Sequence, residues 1–207
     1  MVRSLLSEAD ARQVEAAVAR VEAQSAAEVV VAVLPQSHEY WQPRALASLA
    51  WALAAGFAFL HFEPWRDPAL SLVVEVLVGG FTYALLGVPA LKRLLLRGDA
   101  ATAAVRARAF QLFAERGLYA TSGRTALLIF VSELEHRVVL LGDHGIHAEL
   151  GQTGWDNEVA LLVRHIREGK LREGLLAVLA DLAPHLARVA PRAVDDVNEL
   201  PDGVVRG

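Results

Sequence analysis

The sequence predicts an α/β fold: a small mixed-sheet α/β/α sandwich interrupted by a two-helix transmembrane hairpin. Three observations predict it. Two apolar stretches, Ala45 to Phe62 and Pro68 to Leu91, stand back to back, joined only by the polar turn Glu63-Pro64-Trp65-Arg66-Asp67. Three short runs, Val29 to Leu34, Ala126 to Val131 and Arg137 to Gly142, have the length and composition of strands. Around them, apolar residues recur at helical spacing. The 207 residues, less a hairpin of about fifty, leave enough chain for one soluble domain with its own core. The implied organisation is 1–43 as the first part of the α/β domain, 44–91 as the hairpin, 92–189 as the second part and 190–207 as a loose C-terminal tail.

Taken in order, Ser7 followed by Asp10 forms a helix N-cap with an acidic first turn, and Val14, Ala17, Val18 and Val21 repeat at helical spacing to about Gln24. Glu28 opens the first strand, a β-branched run stopped by Pro35, as expected where both faces are buried. Past the hairpin, Asp99 caps a helix through Val105, Ala109, Leu112 and Phe113 that closes at Gly117. The second strand follows, then a turn from Ser132 to His136, then the third strand. Beyond Gly151, Thr153 caps a helix from Trp155 to Glu168 with Gly169 past its end, and another helix runs from Leu171 to Val189. Pro191, Pro201 and Asp195-Asp196 mark the tail, expected to have no core to join.

The first apolar stretch would make a helix of about 27 Å, close to the roughly 30 Å hydrocarbon core of a bilayer. It offers only Ser48 and His61 as polar side chains, so it has no face for water. The alternative is a pair of buried core helices in a soluble domain. The second stretch contains Glu75, an intramembrane ionisable group that should sit shallow or face protein, and is interrupted by Gly79, Gly80, Gly87 and Pro89. Gly79-Gly80 and the small face Ala47, Ala50, Ala54 would permit close packing within the hairpin, or between copies in a homo-oligomer. Arg44 precedes the first apolar stretch and Lys92, Arg93 and Arg97 follow the second, whereas the turn holds one Arg against Glu63 and Asp67. The positive-inside rule therefore predicts a multi-pass protein with both termini cytoplasmic. The first ten residues lack the pattern of a secretory signal.

Composition narrows the function. A net charge of -4 without a basic block excludes the usual nucleic-acid binder. The absence of cysteine removes disulfides, thiol nucleophiles and thiolate metal sites. No P-loop or serine-hydrolase elbow is present.

If the crossover makes strands one and two parallel and the short turn makes strands two and three antiparallel, the start of strand one and the end of strand three share an edge. That collects Glu28, Arg124, Thr125, Asp143, His144 and His147. Glu28, Asp143 and His147 are the metal-ligand candidates, because carboxylate and imidazole suit divalent cations, here calcium or magnesium. Arg124 and His144 are the further cleft candidates, Arg124 as an anion contact or a solvated strand flank. The competing reading of 142–147 is a polar turn in which no helix fixes the two histidines on one face.

These residues resemble the TPM-domain family, specifically its bacterial membrane proteins with a hairpin inserted in the domain. The matching pieces are Glu22 to Leu34, Ser37 with Tyr40, Phe110 to Val131, Arg137 to Ile146, Gly169 to Leu182 and Asn198-Glu199-Leu200-Pro201. The resemblance implies an α/β sandwich and membrane association. It also implies a range of roles: relatives in photosynthetic membranes are tied to phosphatase activity and repair of membrane complexes, some bind divalent cations, and an animal relative is an accessory subunit of a receptor channel. Relatives commonly carry a glycine-rich turn ending in an acidic residue after the third strand; here Gly142-Asp143-His144-Gly145-Ile146-His147 keeps the glycines and places histidine where the acid would fall. The expected function is a membrane-anchored, non-enzymatic accessory or binding protein whose partners are the lipid bilayer and a membrane protein. The alternative is a metal-assisted phosphatase of the membrane surface. A channel or transporter is disfavoured, since one hairpin encloses no pathway.

Overall fold

A computed structural model of the chain describes residues 6–96, 98–121, 124–192 and 203–206, with the backbone alone at 144, 145, 147–150 and 152. The chain divides into two units, one formed by 1–38 with 101–207 and the other by 39–100.

The first unit is a mixed α/β fold. Its helix α1 (Glu8–Glu22) starts on a capping box in which the Ser7 hydroxyl accepts the Asp10 amide and the Asp10 carboxylate reaches back to Ser7. Strand β1 (Val29–Leu34) follows, then α5 (Asp99–Glu115), β2 (Leu127–Ser132) and β3 (Arg137–Gly142); helices α2 to α4 belong to the second unit. The chain continues through α6 (His144–Arg167) and α7 (Leu171–Val189) to the two-residue β4 (Val205–Arg206). The described strands form one sheet in the order β3-β2-β1-β4. β1 is parallel to β2, with Val29 opposite Leu127, and β2 is antiparallel to β3, with Leu127 opposite Gly142.

Strand alternation sends Val29, Val31, Val33, Leu127, Ile129 and Val131 to one face, where α1, α6 and α7 cover them with Val14, Val18, Leu162, Leu175 and Leu182. Val30, Ala32, Leu34, Leu128 and Phe130 face the other way, against Val105, Ala109 and Leu112 of α5. Both faces are covered, which is why β1 and β2 read as unbroken apolar runs.

Two expectations need correction here. The tail, expected to be loose, returns to the sheet: β4 pairs in parallel with Ala32 and Val33, and the Val204 amide donates to Glu15 Oε1 at 3.1 Å. A two-residue strand has too little pattern to be seen in sequence. The competing reading of 142–147 as a polar turn fails from His144 onward: α6 starts there and is broken at Gly151 (φ 60°, ψ 171°), a conformation open essentially to glycine alone. His144 and His147 therefore stand one helical turn apart. Residues 193–202, including Asp195-Asp196 and the Asn198-Glu199-Leu200-Pro201 piece, lie outside the described residues.

The second unit holds α2 (Trp41–Phe62), α3 (Ala69–Leu85) and α4 (Pro89–Leu95). The first helix alone is long and apolar enough to cross a bilayer; the second qualifies only when α3 and α4 are joined across a 100° bend. The expected single stretch from 68 to 91 is thus two helices, because Pro89 cannot continue α3 and restricts Val88 to extended backbone (ψ 128°). The packing seam is also different from the expected one. α2 buries Ser48, Ala52 and Gly56, spaced by four, while Ala50 and Ala54 are exposed and Ala47 is half-buried. Ser71 is the buried residue of α3, with Glu75 and Gly79 following at the same spacing. A Cβ on Gly79 would lie 3.2 Å from Ala52 Cβ and 3.7 Å from the Ser48 carbonyl oxygen, whereas Gly80 has open space around it.

Candidate functional site

The sheet register builds one polar end. Val29, Leu127 and Gly142 lie level across three strands, so Glu28, Ala126 and Asp143 come next to one another in the order of the strands. The Leu127 amide donates to the Glu28 carbonyl at 2.8 Å and the Asp143 amide to the Ala126 carbonyl at 3.0 Å. This is the end opposite the 133–136 turn. Because β2 runs between them, the backbones of Glu28 and Asp143 are two strand spacings apart, about 9 to 10 Å. They share an end of the sheet and not one edge, since β4 flanks β1 on its outer side.

Around that end, Glu28 is buried at 8% exposure and Thr125 is buried, with its hydroxyl donating to the Ala26 carbonyl at 3.2 Å. Thr121 is buried as well, and its Oγ1 meets no hydrogen-bond partner among the described residues. Arg124 is exposed in the left-handed region (φ 49°), its amide bonded to the Thr121 carbonyl at 3.1 Å, and it forms no ion pair among the described residues. It is a solvated flank of β2. The side chains of His144 and His147 lie outside the described residues. Gly142 makes room for its neighbour across the helix–sheet contact, since a Cβ there would sit 2.9 Å from the Trp155 ring.

Among the described residues, no three His, Asp or Glu side chains come together as a metal would require. Calcium takes six to eight oxygen ligands and magnesium a near-ideal octahedron. Glu28 and Asp143 alone do not fit either ion.

In the second unit, Glu75 faces the seam and not the outside. A Cβ on Gly56 would collide with the Glu75 carboxylate, so the missing side chain is what admits it. At the other end of the helix pair, Arg44 donates through Nη2 to the Tyr83 carbonyl at 2.8 Å, lies 4.2 Å from the Tyr83 ring centroid and packs on Gly87. Lys92 is buried and stands 5.7 Å from the Tyr40 ring centroid.

Sequence reasoning missed several polar groups. Glu22 accepts the Val29 amide through Oε1 at 2.9 Å and so fixes the start of β1. At the opposite end of the sheet the Ser37 hydroxyl bonds Ser132 Oγ at 2.8 Å, Ser132 bonds the Glu135 carboxylate, and that carboxylate accepts the Ser37 amide at 3.0 Å. Serines at strand ends carry no periodic signal that would have revealed this. Glu158 is held above the ordinary glutamate value by burial, with the Asp181 carboxylate adding like charge. Finally, a groove of about 370 Å³ runs by β3 between Thr102 and Val105 of α5 and Val159 and Val163 of α6.

No family model matches the chain, and no curated protein matches it. Among solved structures, the NMR structure of the BA42 protein from the psychrophilic bacterium Bizionia argentinensis is similar, with a TM-score of 0.62 over 100% of this chain and 99% of that one. Only 16% of residues are identical, so the likeness is one of fold, a mixed α/β architecture.

Proposed function

We propose that the chain is a membrane-anchored, TPM-type protein whose α/β unit acts as a non-enzymatic accessory or binding module at the cytoplasmic face of the bacterial inner membrane. The observation that carries the reading is the inverted residue distribution of the 39–100 unit. Its two long helices turn small residues inward, with Ser48 at 6% and Ala52 at 8% exposure, and large apolar ones outward, with Phe57 at 74%, Val76 at 73% and Phe81 at 69%. In water this would be an apolar surface larger than soluble proteins tolerate; in hydrocarbon it costs nothing. At 1.5 Å per residue α2 is about 33 Å long, enough for the roughly 30 Å bilayer core, whereas α3, about 26 Å, reaches that length only with α4 beyond the bend.

Two details support the same reading. Glu75 is turned toward the partner helix, as intramembrane ionisable groups usually are. Arg44, Lys92 and Arg93 lie at the ends of the hairpin that lead into the α/β unit, whereas its turn carries Glu63 and Asp67. The protein should stay with membranes through high salt and alkaline wash; release into the soluble fraction would overturn the anchor.

The rival reading, a metal-assisted phosphatase, draws on Glu28, Asp143 and His147, of which Glu28 and Asp143 lie at one end of the sheet two strand spacings apart and the His147 side chain is outside the described residues. Detergent-purified protein given a generic phosphomonoester, with and without calcium or magnesium, separates the two. Cation-dependent turnover lost in Asp143→Ala would replace the binding reading.

A further inference from the structure

The described strands end on one side in β3, and its outer edge is not defended in the usual way. Native sheets blunt a free edge with lysine, proline, a bulge or a very short strand. The opposite edge follows that rule, since β4 has only two residues. β3 has six, Arg137-Val138-Val139-Leu140-Leu141-Gly142, in unbroken register with β2 and with no charge beyond its first position.

The ladder says which amides are available. Asp143 donates its amide to Ala126 across the β2–β3 pair. By the alternation of antiparallel bonding, Leu141, Val139 and Arg137 also point toward β2, and Val138, Leu140 and Gly142 point outward. No backbone partner meets these three amides among the described residues.

The groove beside β3 makes this edge a receptor. Thr102 and Val105 wall it on one side of the sheet and Val159 and Val163 on the other, with Arg137 and Arg167 on its rim. Neither arginine forms an ion pair among the described residues. The one carboxylate in the lining, Glu135, accepts hydrogen bonds from Ser37 and Ser132 and pairs with neither arginine, so the lining carries two cations against one anion. Main-chain donors and acceptors, apolar walls and a net positive charge together specify an extended, acidic segment.

We propose that β3 is a strand-addition site, on which a partner protein lays an acidic extended segment as a further strand of the sheet. This deepens the binding-module reading by naming the partner's chemistry. It stands apart from the anchor, because peptide binding does not depend on where the protein resides.

The test uses the full chain in dodecyl maltoside and a capped hexapeptide of alternating valine and glutamate, titrated by calorimetry and by amide chemical shifts. Binding is expected, with shifts centred on Val138, Leu140 and Gly142. Methylating every peptide amide nitrogen, or replacing glutamate with lysine, should each weaken binding at least tenfold. In the protein, Leu140→Pro removes an outward donor without breaking a bond to β2 and should abolish binding. Should that variant misfold, Arg137→Glu with Arg167→Glu, both free of ion pairs among the described residues, should invert the preference to the lysine peptide. No binding at millimolar peptide, equal binding of the methylated peptide, shifts away from β3, or self-association through β3 that excludes the peptide would each overturn the proposal.

Discussion

Gly79 and Gly80 are neighbours in α3 with the same backbone cost and opposite surroundings, which makes them a controlled pair. Replacing either by leucine gains the same intrinsic helix propensity, so that term cancels in the comparison. What remains is steric. At Gly79 even the first added carbon would lie 3.2 Å from Ala52 Cβ, tighter than ordinary contact, and the rest of a leucine would have to fit between α2 and α3. At Gly80 nothing lies within 4 Å. Overpacking of a tight seam costs about 1 to 3 kcal/mol, so Gly79→Leu should unfold about 5- to 150-fold more readily than Gly80→Leu. The assay is SDS-driven unfolding in dodecyl maltoside followed by tryptophan fluorescence, since Trp41, Trp51 and Trp65 all lie in this unit. Equal midpoints, or a Gly80→Leu variant weaker than Gly79→Leu, would refute the seam through Ser48, Ala52, Gly56 and Gly79.

Further outcomes follow from the α/β unit. Glu158 has its folded value raised, so the folded state holds the proton more tightly than the unfolded chain, and stability declines as pH rises from below the ordinary value of 4.5 through the raised one. Glu158→Gln should therefore be the more stable protein at pH 7, with the advantage vanishing below pH 4.5; a constant difference across that range would show burial of the carboxylate to be irrelevant. Gly151→Ala places a Cβ in a region that only glycine occupies readily and should cost about 1 to 3 kcal/mol by denaturant titration, while an unchanged midpoint would mean that the break in α6 is not there. Phe130 is fully buried among Leu128, Val105 and Leu112, and Phe130→Ala should lose about 3 to 5 kcal/mol; a loss under about 1 kcal/mol would be incompatible with that packing.

Much of the α/β unit was legible because its signals are periodic. The Ser7–Asp10 box, the runs at β1 and β2, the full length of β3 and the stop at Gly169 each follow from local chemistry that the tertiary structure does not override. The misses have local causes too. Residues 142–147 carry two glycines, which favoured a turn, but the single obligatory glycine conformation is at Gly151, and the helix starts before it. In the hairpin, alanine spacing suggested the wrong face because helix seams are chosen by the closest possible approach, and that favours Ser48, Ala52 and Gly56 over a row of alanines. Of the two placements expected for Glu75, shallow or facing protein, Gly56, nineteen positions earlier, supplies the room for the second. The convergence of Glu28 and Asp143 on one end of the sheet could be deduced from topology alone. Glu22 on the Val29 amide, Thr121 and the groove by β3 could not, since each depends on which residues become neighbours across the fold.

The central claim is that the 39–100 unit crosses a bilayer as a hairpin with the α/β unit left in the cytoplasm, and the chain's lack of cysteine gives a clean background for testing it. A single cysteine at Asp67, in the turn between α2 and α3, should react with a membrane-impermeant maleimide on cells with a permeabilised outer membrane. One at the exposed Asp181 of α7 should react only after the inner membrane is broken. Labelling of both before lysis, or of neither, would contradict the hairpin topology.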